Sequence, residues 1–431
     1  MKIYDSYKDS DIEWIGEIPS HWEVERLKHC YKFVNKRSEM EFPKIGLEHI
    51  ESWTGRLIEN DSEFEGEGTL FKNGDILFGK LRPYLAKVYL ANFSGKAVGD
   101  FFVFRPDSSI YPKFGHKFML SRNFIEITNS STFGSKMPRV SPDFINELKT
   151  IVPPIPEQTA IASYLDRKTA EIDELIADKK RLLELYEEEK TAIINELVTG
   201  KKVWNGHSWT EPDEAKDSGI EWLGEIPEHW EVKRLKHITN KMISGPFGSS
   251  LKKEIYSESG YKIYGQEQVI KNEISYGNYY IPKKKFDEMS NYRVAKNDIL
   301  ISCVGTFGKI LMVPEVFEEG IINPRLIKVS PSKMINSKYL TEVLKSSLIF
   351  EQFSSVSRGG TMGVINLDLL NQLIIPTPLI DEQPIILSKI ETECAKIDTK
   401  KTKTQKLIAL LTEYRTALIS EVVTGKVKVV D

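Results

Sequence analysis

The strongest constraint on this chain is that it is written twice. Ile12-Glu13-Trp14-Ile15-Gly16-Glu17-Ile18-Pro19 returns as Ile220-Glu221-Trp222-Leu223-Gly224-Glu225-Ile226-Pro227, and Glu196-Leu197-Val198-Thr199-Gly200-Lys201 returns as Glu421-Val422-Val423-Thr424-Gly425-Lys426. The offset between copies grows from 208 at Trp14/Trp222 to 223 at Asp75/Asp298, then stays at 225 from Met137/Met362 to Gly200/Gly425. A repeat of this length predicts one frame built twice, with a middle region free to change in each copy.

At 431 residues the chain exceeds one ordinary domain. Its net charge of -3 argues against a broadly basic nucleic-acid coat, but the charge is uneven. Residues 68–140 hold eleven Lys/Arg against four Asp/Glu, and 283–365 hold twelve against eight, so each copy has a positive middle. Cys30, Cys303 and Cys394 share no metal-type spacing and read as reduced thiols. The first residues lack the apolar run of a signal peptide, and no stretch approaches a membrane span, which predicts a cytoplasmic protein with no membrane partner.

Between Glu157 and Thr199 there is no Gly or Pro, and apolar residues recur at alternating steps of four and three through Leu165, Ile172, Ile176, Leu183, Tyr186, Ile193 and Leu197. That is a coiled-coil seam. The helix would span about 43 residues, roughly 64 Å at ~1.5 Å per residue. One repeat later, Ile390, Ile397, Ile408, Leu411, Leu418 and Val422 form the same seam between Glu382 and Thr424. Both seams carry polar interruptions, with Lys179 matching Thr404 and Lys190 matching Arg415. Neither helix can bury its stripe alone, so the two are expected to pack on each other, antiparallel if the second returns toward the start. The seam positions Ile172, Ile176, Leu183, Ile193, Leu197, Ile397, Ile408, Leu411, Leu418 and Val422 are the candidates for pairing and for partner docking.

The middle regions read as mixed α/β. Strands are predicted at 75–79, 101–104, 298–302 and 326–329, helical patches at about 113–127 and 337–353, and short capped helices after Ser141 and Asn366. The expected fold class is α+β: two pseudo-symmetric α/β regions separated by two long antiparallel coiled-coil helices. The boundaries are 1–155 and 204–380 for those regions, and 156–203 and 381–431 for the helices.

Signatures of cofactor chemistry are missing. No Gly-rich dinucleotide fingerprint and no phosphate loop occurs, and Asn323-Pro324-Arg325-Leu326 lacks the second proline and the aromatic of an amino-methyltransferase motif. No cofactor, metal or catalytic residue is assigned. Asp143, Glu147 and Lys149 carry the letters of a metal-dependent nuclease, but their spacing puts the acids on one turn of a helix, and the second copy reads Asp368, Gln372 and Ile374. His21 and His229, each followed by Trp, suit a structural hairpin better than a metal site.

Recognition is a better match. Each copy has two non-adjacent loops rich in small and basic residues: 79–84 and 130–139 in the first, 302–309 and 357–362 in the second. Lys and Arg suit phosphates, while Gly-rich and polar loops bring groups to base edges. The candidates are Lys80, Arg82, Tyr84, Lys136 and Arg139 in one copy, and Gly305, Thr306, Lys309, Arg358 and Thr361 in the other. Gly245-Pro246-Phe247-Gly248-Ser249-Ser250, unmatched in the first copy, reads as a turn before it reads as a contact.

The repeated Ile12-to-Pro19 motif, Pro154-Ile155-Pro156-Glu157-Gln158, Leu197-Val198-Thr199-Gly200-Lys201, and the order variable region, long helix, variable region, long helix together resemble the specificity subunit of type I restriction-modification enzymes. The resemblance covers essentially the whole chain. It implies that the variable regions are target recognition domains, each reading half of an asymmetric, interrupted site in double-stranded DNA, with the helices as a ruler between them. It also implies partners: two methyltransferase subunits, and restriction/translocase subunits in the full complex, leaving this chain non-catalytic. The alternative from another class is a coiled-coil scaffold without DNA specificity.

Overall fold

The computed structural model describes residues 2–38, 41–59, 67–134, 136–247, 250–303, 309–356 and 365–429, with the side chains of 354–356 left aside. The chain folds as two compact units, Met1–Arg181 with Thr404–Asp431, and Leu182–Lys403. These boundaries cut through both long helices, Ile155–Val198 and Gln383–Val423, so each helix divides its packing between the two units.

In the first unit a four-stranded antiparallel sheet runs in the order Tyr31–Val34, Phe101–Pro106, Ile76–Gly79, Val88–Leu90. Every residue of the inner strand Ile76–Gly79 is buried, as its unbroken apolar run requires. One sheet face packs Phe78 and Phe104 against Phe114, Phe118 and Phe124 of two helices, Pro112–Met119 and Arg122–Ser130. The sequence predicted one helix here and the structure has two. The extended Ser121 interrupts the helix, and its Oγ donates to the Phe118 carbonyl at 2.6 Å. The second unit breaks its predicted helix in the same way, at Ser346, between Ser337–Lys345 and Ser347–Val356.

The second unit repeats the plan. Its sheet runs Thr239–Ser244, Leu326–Pro331, Ile299–Ser302, Ile310–Met312. In both units a short helix leads into a strand that pairs antiparallel with the segment after the repeated motif: Lys149–Val152 with Glu23–Arg26, and Ile374–Thr377 with Glu231–Arg234. Pro384 falls in the first turn of the second long helix, where its missing N–H is no loss.

Glu-Gln pairs lock the start of each long helix. Trp22 Nε1 and His21 Nε2 meet Glu157 Oε2 at 3.1 and 2.8 Å, and Trp230 and His229 meet Glu382 at 2.9 and 2.7 Å. The carboxylate that the His-Trp pair lacks in sequence thus arrives from across the fold, and it accepts hydrogen bonds. The buried amide of Gln158 accepts from Tyr111 N and donates to the Pro153 and Ser109 carbonyls; Gln383 does the same with Asn336 N, Pro378 and Met334. A carboxylate could not donate to those carbonyls, so glutamine is chemically required at both positions.

The helix pairs are antiparallel in each unit. In the first, Ile161, Leu165 and Ile172 share a core with Leu418, Ile419, Val422 and Val423, and Arg415 forks onto Asp173 at 2.8 and 3.3 Å. In the second, Leu197 and Val198 share a core with Ile386, Leu387 and Ile390, while Lys190 meets Asp398 at 2.9 Å and Lys401 meets Glu187 at 2.5 Å. Lys190 and Arg415 are the seam's polar interruptions, and Asp398 and Asp173 are also one repeat apart, so the same cross-helix pair occurs twice. Ile172, Leu197, Ile397, Leu418 and Val422 are buried, whereas Ile176, Leu183, Ile193, Ile408 and Leu411 are half-buried.

The two ends of the chain also meet. Lys2 bridges Lys428 in the first unit, one repeat from the Val203–Thr210 pairing of the hairpin that links the copies in the second. Among the described residues no helix is long and apolar enough to cross a membrane.

Candidate nucleic-acid interface

The strand Ile76–Gly79 leaves the sheet at Lys80, whose backbone is held on both sides: Lys80 N donates to Asp100 O at 2.8 Å, and Val140 N donates to Lys80 O at 3.1 Å. Arg82 and Ala86 both take the left-handed conformation (φ 50° and 47°), which folds Pro83–Leu85 into a tight turn and turns Arg82 and Tyr84 outward. Arg82 N then donates to Pro138 O at 2.8 Å, Leu81 bridges Arg139, and Phe133 and Arg139 exchange two backbone bonds at 3.1 Å. Two loops separated in sequence are thereby zipped into one surface carrying Lys80, Arg82, Tyr84, Lys136 and Arg139, with Phe133 (62% exposed) and Met137 (53%) beside them.

Its electrostatics sort the cations. Asp100 accepts from Arg139 Nη2 at 2.9 Å and lies 3.8 Å from Lys80 Nζ, so these two are already paired. That pairing pushes the Arg139 guanidinium further toward its charged form. Arg82 and Lys136 are exposed and have no acidic partner among the described residues. The Arg139–Asp100 pair is part-buried, with the Arg139 side chain 43% exposed, so a phosphate can still reach and compete for the cation.

The second unit makes the same backbone connections with different side chains. Cys303 N donates to Arg325 O and Ile365 N to Cys303 O, both at 2.9 Å, in the roles of Lys80, Asp100 and Val140. Arg325 therefore stands where the first copy has Asp100. Its guanidinium reaches Gln266 Oε1 at 3.5 Å, Gln266 Nε2 donates to Ser302 Oγ at 2.6 Å, and Asn323 Oδ1 accepts from Arg325 N. Gly245 packs against this cluster so closely that a Cβ there would lie 1.8 Å from Asn323 O, and it is followed by Phe247, 85% exposed. Lys309 is exposed at the loop end, its carbonyl bonded to Ser302 N. Gly305, Thr306, Arg358 and Thr361 lie outside the described residues.

Sequence reasoning missed Asp100, Gln266 and Arg325. The repeat offset is 223 at Asp75 and settles at 225 only by Met137, so it is the matching strands Phe101–Pro106 and Leu326–Pro331 that equate Asp100 with Arg325.

The nuclease-like letters do not assemble. Glu147 faces Arg26 and Lys28 at 2.7 and 2.5 Å, which hold its carboxyl below the usual range, Lys28 more than Arg26, while Lys149 Nζ bonds the Asp11 carbonyl. No group of three His, Cys, Asp or Glu suited to a metal occurs among the described residues. Burial pushes the Cys30 and Cys303 thiols up to about 11, so neither is a ready nucleophile.

Known proteins match this arrangement. The family model described as the type I restriction modification DNA specificity domain matches twice, at residues 21–185 and 227–409. The MjaVIII specificity subunit of Methanocaldococcus jannaschii is 22% identical over 99% of this chain and 98% of its own length. The EcoDI specificity subunit of Escherichia coli is 28% identical over 167 residues, 37% of each protein. Among solved structures, a chain from a study of complex assembly and conformational transition in a type I R-M system superposes with a TM-score of 0.71 at 16% identity, over 95% of this chain and 99% of that one. The HsdS subunit of Thermoanaerobacter tengcongensis superposes at 0.55, also at 16% identity, over 95% and 98%.

Proposed function

The chain belongs to the type I restriction-modification specificity family, and from that premise we propose that its two units read the two unlike halves of an interrupted, asymmetric DNA site. The observation that carries this reading is that one backbone frame presents different chemistry twice: Lys80, Asp100 and Arg139 in one copy, Gln266, Ser302 and Arg325 in the other.

In the first reader, Arg82 and Lys136 engage phosphates and set the register, while Lys80 and Arg139, oriented by Asp100, reach the groove edge beside Tyr84 and Phe133. In the second, Lys309 supplies the phosphate contact. Arg325 has the planar fork that suits the O6 and N7 of guanine, and Gln266 the amide that suits the N6 and N7 of adenine. Arg358, Gly305, Thr306 and Thr361, outside the described residues, are proposed as further contacts of the second reader on their loop composition alone.

The chain does no chemistry of its own. It works in the cytoplasm with two methyltransferase subunits, which flip and methylate the target adenine, and with restriction subunits in the full complex. The seam residues of the helix pair are the scaffold on which these partners assemble.

Footprinting the assembled methylase tests this. The expected pattern is two protected half-sites with an indifferent spacer, and DNA affinity that falls with salt through counterion release. A single continuous site, or protection indifferent to sequence, overturns it. Exchanging residues 40–150 for those of another reader changes one half-site and leaves the other.

A further inference from the structure

Trp53 is a large residue held where large residues rarely sit, in the left-handed region at φ 65°. A backbone outlier of that kind persists only when its surroundings fix it from several sides. Both of its backbone groups are fixed. Trp53 N donates to Ala86 O at 3.1 Å, and Ala86 closes the turn Pro83–Leu85 that points Arg82 and Tyr84 outward. Trp53 O accepts from Arg415 Nη1 at 3.0 Å, and the same guanidinium forks onto Asp173 across the helix pair. One residue therefore joins the reading turn to the long helices.

The segment around Trp53 is shaped for that reach. Ile50 bridges Leu57, Ile58 N donates to His49 O at 2.9 Å, and Glu51 Oε2 accepts from Thr54 Oγ1 and Arg56 Nε, which closes a hairpin. At its tip Gly55 lies so close to the edge strand Val88–Leu90 that a Cβ would be 2.1 Å from Val88 O, and Arg56 Nη1 comes within 3.7 Å of Asp173.

The second copy starts in the same way and does not make this tie. Lys44–Ile45 and Tyr261–Tyr264 pair parallel with the matching strands Gly95–Ala97 and Gly320–Ile322, and the next residues, Gly46 and Gly265, donate their N–H groups to His49 Nδ1 and Gln268 Oε1. Seven residues beyond each glycine stand Trp53 and Asn272, the latter also left-handed at φ 55°. Asn272, however, ends the helix Gln266–Lys271 and its N–H is spent on Val269 O at 3.3 Å. Lys190, in the place of Arg415, bonds Asp398 and no backbone carbonyl among the described residues.

We propose that Trp53 is a positioning residue: through Arg415 it fixes the first reading turn against the long helices, so that the length of the spacer is enforced from the first reader. The inference rests on the function proposed above, in which two half-sites flank that spacer. Arginine suits the task and lysine does not, because a planar fork serves a carboxylate and a carbonyl at once while an ammonium is a single point of charge.

Two variants test it, with circular dichroism to confirm folding. Arg415→Lys keeps the charge opposite Asp173 and gives up the Trp53 carbonyl, and Trp53→Gly keeps the backbone groups but removes the bulk that holds them. In amide hydrogen exchange of the full chain, Leu85 and Ala86, whose N–H groups bond Arg82 O and Pro83 O, should exchange faster in both variants and not in Lys190→Arg. In methylation of a random DNA library by the assembled methylase, read by sequencing, sites with a spacer one base pair longer or shorter should gain up to roughly tenfold over the parent, as expected for losing one hydrogen bond to a charged group, while the bases read stay the same. Unchanged exchange at Leu85 and Ala86 overturns the tie. Faster exchange with an unchanged spacer preference overturns its positioning role, as does an equal loss at every spacer, the mark of a contact that only stabilises the fold. If the parent methylase shows no interrupted site, the function proposed above fails, and hydrogen exchange still decides the tie.

Discussion

Replacing Asp173 by Ala should destabilise the first unit far more than replacing its repeat counterpart Asp398 destabilises the second. The Arg415 side chain is only 7% exposed and Asp173 17%, whereas Lys190 and Asp398 are 29% and 54% exposed. Truncating one partner of a buried pair costs about 3–5 kcal/mol because the other charge is left stranded, while an exposed pair contributes ~0–1 kcal/mol. Arg415 keeps one acceptor, the Trp53 carbonyl at 3.0 Å, and loses its carboxylate, so the low end applies: about 3 kcal/mol for Asp173→Ala and under ~1 kcal/mol for Asp398→Ala. For a unit of this size about 1 kcal/mol moves Tm by roughly 2–4 °C, which puts the first variant about 6–12 °C below the parent. Scanning calorimetry on the full chain reads both. Replacing Asp173 by Leu together with Arg415 by Met should recover most of the loss, since an apolar pair removes the stranded charge. Equal shifts for Asp173→Ala and Asp398→Ala, or an apolar pair as unstable as Asp173→Ala, would refute the reasoning.

Three further outcomes are expected. Burial, reinforced by Lys117, pushes His116 down to about 4 while its Nε2 bonds the Val88 carbonyl. A base depressed below its unfolded value near 6.5 contributes stability above that pH that is lost as pH falls toward about 4; His116→Gln should flatten this dependence in urea melts between pH 7 and 4.5, and an unchanged slope would count against it. Arg325→Ala should relax base preference in one half-site and leave the other intact, as read by sequencing methylated DNA; a uniform loss over all sequences would make Arg325 a phosphate contact. A circular permutant opened between Asn205 and Gly206, with the old ends joined by a short turn, should fold with parental circular dichroism, because Lys2–Lys428 repeats the Val203–Thr210 pairing; an unfolded product would show that the bridge does not hold the ends.

The long helices and the inner strands were legible in the sequence because their burial is local in pattern: a seam of apolar residues has one period, and Ile76–Gly79 is apolar throughout. The helix breaks at Ser121 and Ser346 were less legible, since a serine within an apolar stretch reveals its turn only when its hydroxyl finds the carbonyl three residues back. The recognition surface was half legible. Loops 79–84 and 130–139 could be named from composition, but their union depends on the Arg82–Pro138 bond, and the pairing of Lys80 and Arg139 through Asp100 depends on where a neighbouring strand begins.

By itself, then, the sequence determined that one frame is built twice, that two apolar seams must be buried against each other, and that the middle regions differ, because repetition and periodicity are properties of the linear chain. Only the tertiary structure decided which acid neutralises which seam cation, that Glu157 and Glu382 close the His-Trp motifs, and that Asp100 in one reader becomes Arg325 in the other. Those depend on strand ends and helix faces brought together from residues scores of positions apart, and no local pattern encodes such meetings.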